Sequence, residues 1–190
     1  VKTIDELFAE LISDKKEETE KNKENKFPKE RKLTRKKFRK LFQQNKVDID
    51  LFWEEYRGIL RGYNLEGDKR IISKEKYVNE IGRRRGKLQK NQREQFYYLA
   101  EEIELKLKES PLIDPQNGGW DDLDICKEIT TRIQEKKIPC NIEYLYVDEV
   151  QDLTAAEIEV LLGIMNKDGE AKKRIAMAGD LSQSIQPSSF

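Results

Sequence analysis

The residues best suited to chemistry lie near the C-terminal end of the sequence. Tyr144-Leu145-Tyr146-Val147 is an apolar and aromatic run that ends in two adjacent carboxylates, Asp148 and Glu149, and Gln151-Asp152 follow at once. With Ile142 just upstream, the continuity of this run predicts a strand buried on both faces, as in a parallel sheet. In an open parallel sheet, ligands sit beyond the carboxyl ends of the strands. A first carboxylate there, Asp148, can hold the water shell of a Mg²⁺ ion. The next residue, Glu149, points elsewhere and can orient or deprotonate an attacking water. Many strands end in acids only because loops are polar, so this stretch alone does not decide the matter.

A second stretch adds to it. Residues 174–178 form another short apolar run that ends at Gly179-Asp180, with Gln183 close behind. Between the two runs, Thr154-Ala155-Ala156-Glu157 is a capping box that opens a helix to about Asn166. The order strand–helix–strand predicts a right-handed βαβ unit. Both strand ends then share one edge, which gathers carboxylates and amides from two loops around one crevice. The neutral amide of Gln183 can bond a terminal phosphate oxygen or an attacking water without adding repulsive charge.

The pair of stretches, Asp148-Glu149-Val150-Gln151-Asp152 and Gly179-Asp180-Leu181-Ser182-Gln183-Ser184-Ile185, resembles motifs II (Walker B) and III of the UvrD/Rep-type superfamily 1 helicases. The segments Phe52–Gly62 and Gly118–Asp124 resemble parts of a divergent subgroup of that family, which includes proteins with tetratricopeptide and ankyrin repeats. The resemblance implies an α/β fold, a partial RecA-like P-loop ATPase core with parallel strands, interrupted by a mostly helical insertion. Residues 1–12 and 139–190 would belong to the core and residues 13–138 to the insertion. ATP and Mg²⁺ would be the cofactors. Asp148 would bind the metal, Glu149 would activate water and Gln183 would sense the γ-phosphate. Gln151, Asp152, Gly179 and Asp180 would complete the nucleotide site. Thr3 stands where the family has a threonine near single-stranded DNA, although its accompanying histidine is missing and Thr3 also suits a helix cap. Phe190 either stacks on a base or is a core residue.

These residues need elements to hold them. Thr3-Ile4-Asp5-Glu6 is a capping box that opens a helix to residue 12 with an apolar stripe. Residues 14–30 are rich in Lys, Glu and Asn and are expected to be a flexible excursion. Thr34 is expected to cap a basic helix carrying Phe38, Leu41 and Phe42 on one face. Helices are predicted over 49–62, from Ser73 to Ile81, over about 89–109, and from Asp121 or Asp122 through Ile133. There is no internal repeat.

Composition sets outer limits. The chain has 190 residues, of which 36% are hydrophobic and 39% charged, so the core must be concentrated in part of the length. There is no histidine, which removes His-based triads and most zinc sites. Cys126 and Cys140 match no metal spacing and read as reduced thiols. The net charge is zero but unevenly spread: residues 15–46 hold 14 Lys/Arg against 5 Asp/Glu, and residues 69–93 hold 10 against 2. Two basic clusters result, one around Arg35 and Lys36 and one at Arg83, Arg84 and Arg85. Each is either a phosphate-contacting surface, for single-stranded or duplex DNA and possible also for RNA, or a solvated helix face. Trp53 and Trp120 read as core aromatics.

The sequence GxxxxGK[ST] does not occur, so the phosphate-cradling loop and its lysine are missing. The expectation is therefore a piece of a longer ATP-dependent helicase or translocase, inactive by itself. Two alternatives stay open: a degenerate nucleic-acid-binding module, and a P-loop ATPase with no nucleic-acid role. No run of 18 apolar residues and no signal peptide are visible, so the expected location is intracellular, cytoplasmic or nuclear.

Overall fold

In the computed structural model, residues 2–13, 27, 29–42, 47–63, 70–85, 88–109, 119–135, 138, 142–165 and 174–180 are described. Helix α1 (Ile4–Ile12) starts where the capping box requires: the Glu6 N–H donates to Thr3 Oγ1 at 3.2 Å, and the Thr3 N–H donates back to the Glu6 carboxylate at 2.8 Å. Helix α2 (Arg35–Leu41) is capped by Thr34, and α3 (Ile49–Glu55) by Asp48, whose carboxylate accepts from two backbone N–H groups. The remaining helices are α4 (Gly82–Arg85), α5 (Lys90–Glu109), α6 (Asp122–Gln134) and α7 (Ala155–Met165). Two short strands, β1 (Leu145–Val147) and β2 (Ile175–Met177), pair in parallel on either side of α7 in the sequence.

The spacing of apolar residues predicts one α-helix over 49–62. The structure instead widens after Glu55 into a π-helical turn, Tyr56–Arg61, and a second π turn, Lys76–Ile81, leads into α4. Within the first turn Tyr56, Gly58, Ile59, Leu60 and Arg61 are all buried, which a one-sided α-helical stripe does not allow. The extra residue in the turn rotates Arg61 inward while Arg57 keeps partial exposure.

Two apolar clusters organise the described residues. The first gathers α2, α3, both π turns and α5 around aromatic rings. Phe38 lies at its centre, with ring centroids of Phe42, Phe52, Trp53 and Tyr56 all between 4.9 and 5.5 Å away. The second joins Phe8 of α1, Leu123, Cys126 and Ile129 of α6, and Ala156, Val160, Leu161 and Ile164 of α7. Leu145, Val147 and Ile175 of the sheet pack against it. Helix α6 thus shares a core with α1 and α7. Both tryptophans are packed as core aromatics, Trp120 against Phe27 and Trp53 against Phe38.

The sheet corrects the α/β expectation. Among the described residues it has two strands of three residues each, and the bulk of the structure is helical; no RecA-like core is present there. The strand expected over 142–147 is shorter and is covered on one face only. Leu145 and Val147 turn to the helices, whereas Tyr144 and Tyr146 are 64% and 79% exposed. An apolar run without polar alternation reads as doubly buried, but here the aromatic side chains occupy the outward positions of a period-two pattern.

A buried ionic network fastens the two clusters. Arg61, with a side chain only 2% exposed, donates Nε to Asp121 Oδ2 at 2.9 Å and Nη2 to Asp121 Oδ1 and Asp124 Oδ1, both at 2.7 Å. Its Nη1 donates to the Arg70 carbonyl at 2.6 Å. Arg70 in turn donates to Asp124 at 2.6 and 3.1 Å and approaches Glu104, which accepts the Tyr56 hydroxyl at 2.6 Å. Burial works to raise the Asp121 pKa, but the charge and hydrogen bonds of Arg61, with Arg70 behind them, outweigh it and hold the carboxyl well below the usual range. A carboxyl with a depressed pKa adds stability above the unfolded value, and that contribution is lost as pH falls through the folded one.

Replacing Arg61 with Met is expected to cost about 3–5 kcal/mol at neutral pH, because it leaves a buried carboxylate without its partner. The cost should shrink below about pH 4, where the orphaned carboxyl becomes neutral. The double variant Arg61→Met/Asp121→Asn should recover part of the loss at neutral pH. Urea unfolding of the three proteins at two pH values measures this.

Candidate functional site

The carboxyl end of β1 and the carboxyl end of β2 lie side by side, and backbone hydrogen bonds extend the pairing past the strands. The Ala178 N–H donates to the Val147 carbonyl at 2.8 Å, and the Val150 N–H donates to the Ala178 carbonyl at 3.0 Å. The loop Asp148–Asp152 is thereby locked to the loop Ala178–Asp180. Residues Val150–Asp152 form a tight 3₁₀ turn, with the Asp152 N–H donating to the Glu149 carbonyl at 3.0 Å.

Asp148 and Glu149 are both exposed at this edge. One oxygen of Asp148 accepts the Glu149 N–H at 2.9 Å. Glu149 has φ 53° and ψ 39°, the only non-glycine residue in the left-handed region among those described. That conformation costs about 1–2 kcal/mol for a residue with a Cβ. Strained backbone of this kind persists only where its surroundings over-determine it. Here the surroundings are the Asp148 carboxylate before it, the 3₁₀ turn after it, and the Gln151 amide, whose Nε2 donates to the Glu149 carboxylate. Gln151 is buried, and its Oε1 accepts the Asp180 N–H at 3.1 Å. Gly179 passes so close that a Cβ there would overlap Gln151 Oε1 and stand 2.9 Å from Val150 Cγ1. Only glycine fits this approach. Asp152 is half-buried, and its Oδ1 has no hydrogen-bond partner.

The structure therefore brings together Asp148, Glu149, Gln151, Asp152, Gly179 and Asp180. The amide of Gln151 is spent on the two loops rather than turned outward. Gln183 and Phe190 lie outside the described residues. No group of three metal-ligating side chains occurs among the described residues. Magnesium does not require one: it keeps several waters and takes one or two carboxylates together with substrate phosphates. An exposed Asp148 with one oxygen uncommitted to the backbone fits that donor set.

The residues expected to meet nucleic acid sit on other elements. Thr3 caps α1, and its hydroxyl is taken by the Glu6 N–H. Arg35 and Arg39 share the Asp50 carboxylate, at 2.9 and 2.7 Å, and Arg39 first among them holds the Asp50 carboxyl below its ordinary range. Lys36 is exposed next to them on α2. Arg83 and Arg84 are exposed on α4, and Arg85 follows in the same turn.

Sequence reasoning missed the side chains that carry the edge. Arg57, at the start of the π turn, donates Nη2 to Glu157 Oε1 at 2.9 Å. Glu157 is buried, and its other oxygen accepts the Thr154 N–H at 2.7 Å and the Thr154 hydroxyl at 2.8 Å. The pair pins the start of α7, and with it the Asp148–Leu153 segment, to the aromatic cluster. The capping box revealed Glu157 only as a local cap. A charged residue two positions after Glu55 in an aromatic segment gave no signal of a long-range partner.

No known protein family matches the chain, and no solved structure matches it. It is 29% identical over 138 residues to human TPR and ankyrin repeat-containing protein 1. That match covers 71% of this chain but only 4% of the relative. This overturns the resemblance drawn from the two motifs. The similarity found leads to a protein named for TPR and ankyrin repeats, not to a UvrD/Rep-type helicase, and the helicase and P-loop classification that rested on that resemblance is withdrawn with it. Two short strand-end motifs of common residue types carried the assignment, and many strands end in acids only because loops are polar. Among the described residues, no helix is long and apolar enough to cross a membrane.

The left-handed backbone at Glu149 makes a test that does not depend on function. Glycine normally destabilises relative to alanine, but at φ 53° the order inverts. Glu149→Gly is expected to be more stable than Glu149→Ala by about 1 kcal/mol in thermal or urea unfolding. Both variants lose the same carboxylate, so the difference isolates the backbone.

Proposed function

We propose that the paired strand ends form the metal-facing and water-facing half of an ATP-hydrolysing site, in a longer protein that couples hydrolysis to movement along nucleic acid. The observation that supports this is the edge itself: two exposed carboxylates after a parallel strand, one of them held in a strained backbone by a buried amide. Strain kept at an exposed carboxylate points to a fixed direction for that group. Bound MgATP would supply the electrophilic phosphorus and the leaving group. Asp148 would hold the water shell of the ion. Glu149 would orient and accept a proton from a water beside it. Gln183 is proposed to sense the terminal phosphate. The basic surfaces at Arg35–Lys36 and Arg83–Arg84 support a polyanion partner, DNA or RNA, bound through its phosphates.

The helical bulk and the similarity to a protein named for TPR and ankyrin repeats favour a second reading, a binding module without turnover. The two readings part on one measurement. ATP hydrolysis by the full-length protein is expected to rise with single-stranded DNA or RNA and to fall by about 10²–10⁴ in Glu149→Gln. The stimulation should weaken steeply between 50 and 200 mM salt, roughly in proportion to the number of phosphates contacted. Absent hydrolysis leaves the binding module, and hydrolysis equal in wild type and variant leaves an ATPase whose water-activating base is not Glu149.

A further inference from the structure

The amide of Gln151 occupies an unusual position. It is buried, yet both of its ends face groups of the candidate site: Nε2 donates to the Glu149 carboxylate, and Oε1 accepts the Asp180 N–H at 3.1 Å. The orientation is dictated by chemistry. A flipped amide would set oxygen against the Glu149 carboxylate and NH₂ against the Asp180 N–H, two repulsive contacts in place of two bonds. The close pass of Gly179 leaves the amide no room to withdraw. The backbone bonds from Ala178 to Val147 and from Val150 to Ala178 fix both loops around it.

We propose that Gln151 is a positioning residue. It aims the carboxylate of Glu149 and ties that aim to the placement of the Gly179–Asp180 loop, so that neither loop shifts without the other. The kinetic consequence rests on the ATP-site reading above. The interlock between the loops is a property of the fold and stands or falls separately. A displacement of about 1 Å at a reacting group is worth about a hundredfold in rate.

The test uses Gln151→Met, which keeps length and apolar bulk and removes both hydrogen bonds, in the full-length protein. The expected result is a tenfold to hundredfold fall in kcat with KM for ATP unchanged, in a protein whose thermal unfolding stays cooperative. In a Glu149→Gln background the same substitution should have no further effect, because the group it aims is already gone. Gly179→Ala, which pushes on the amide from the other side, should reproduce the loss without adding to Gln151→Met. A folded Gln151→Met with wild-type kcat overturns the proposal, as do losses from Gln151→Met and Glu149→Gln that multiply. If Glu149→Gln itself leaves hydrolysis unchanged, the ATP reading fails and hydrogen exchange decides the interlock alone. Faster exchange of the Asp180 amide in Gln151→Met upholds it, and unchanged exchange overturns it.

Discussion

The structure depends on burying two guanidinium groups. The Arg61 side chain is buried, so each of its donors must find protein oxygen, and the oxygens available belong to two separated parts of the chain: Asp121 and Asp124 at the start of α6, and the Arg70 carbonyl. A buried ion pair of this kind contributes little net stability against an apolar replacement, since desolvation offsets most of the attraction. Its effect is to make alternatives costly. Any packing of the aromatic cluster that moves α6 by a turn strands a charge in the interior. The same carboxylate that caps α6, Asp121, also receives Arg61 in a two-pronged contact, so the start of the helix and the seam between the clusters are one feature.

The π turn follows from this constraint. An unbroken α-helix over 49–62 would place Arg57 and Arg61 four residues apart on the same face. The structure needs them in different places: Arg61 toward Asp121, Arg57 toward Glu157. Widening the helix by one residue separates them, at the cost of weaker backbone geometry that the surrounding rings repay through close packing. Glu55 shows the opposite electrostatic logic nearby. Burial raises its pKa, and the hydrogen bond from Tyr77 at 2.8 Å offsets only part of that, so its contribution runs against that of Asp121 as pH rises.

Local signals were legible in the sequence, and long-range ones were not. The three capping boxes or caps at Thr3, Thr34 and Thr154 stand where residue type and spacing put them, because each is decided within four residues. The strand–helix–strand order was legible for the same reason. The parallel sheet behind it was over-read: Tyr144 and Tyr146 looked like interior residues, and nothing in a single sequence says which face of a short strand has a layer to cover it. The carboxylates at the strand end were legible as a group, but the role of Gln151 was not. Sequence offered it as a ligand-facing amide, whereas its neighbours in space, Gly179 and the Asp180 N–H, come from across α7. Arg57 and Arg61 were invisible, because a buried arginine is recognised only once its partners about 60 and 100 residues away are known.

A single line of contacts then connects the interior to the edge. The rings around Phe38 fix Tyr56 and its turn; the turn presents Arg57; Arg57 holds Glu157; Glu157 holds Thr154 by its N–H and hydroxyl; and Thr154 begins α7 immediately after the 3₁₀ turn that bears Gln151. Apart from the links made by the chain itself, each is a close-packed ring contact or a hydrogen bond to a buried charge, and both resist gradual deformation. Spatial continuity by itself is not coupling, which requires an element with two arrangements that both ends bias. Beside the end of this line, at Glu149, the backbone is held in the left-handed region against its own preference. The line meets the edge at the turn between Glu149 and Thr154, which Glu157 holds from one side through Thr154 and Gln151 holds from the other through the Glu149 carboxylate.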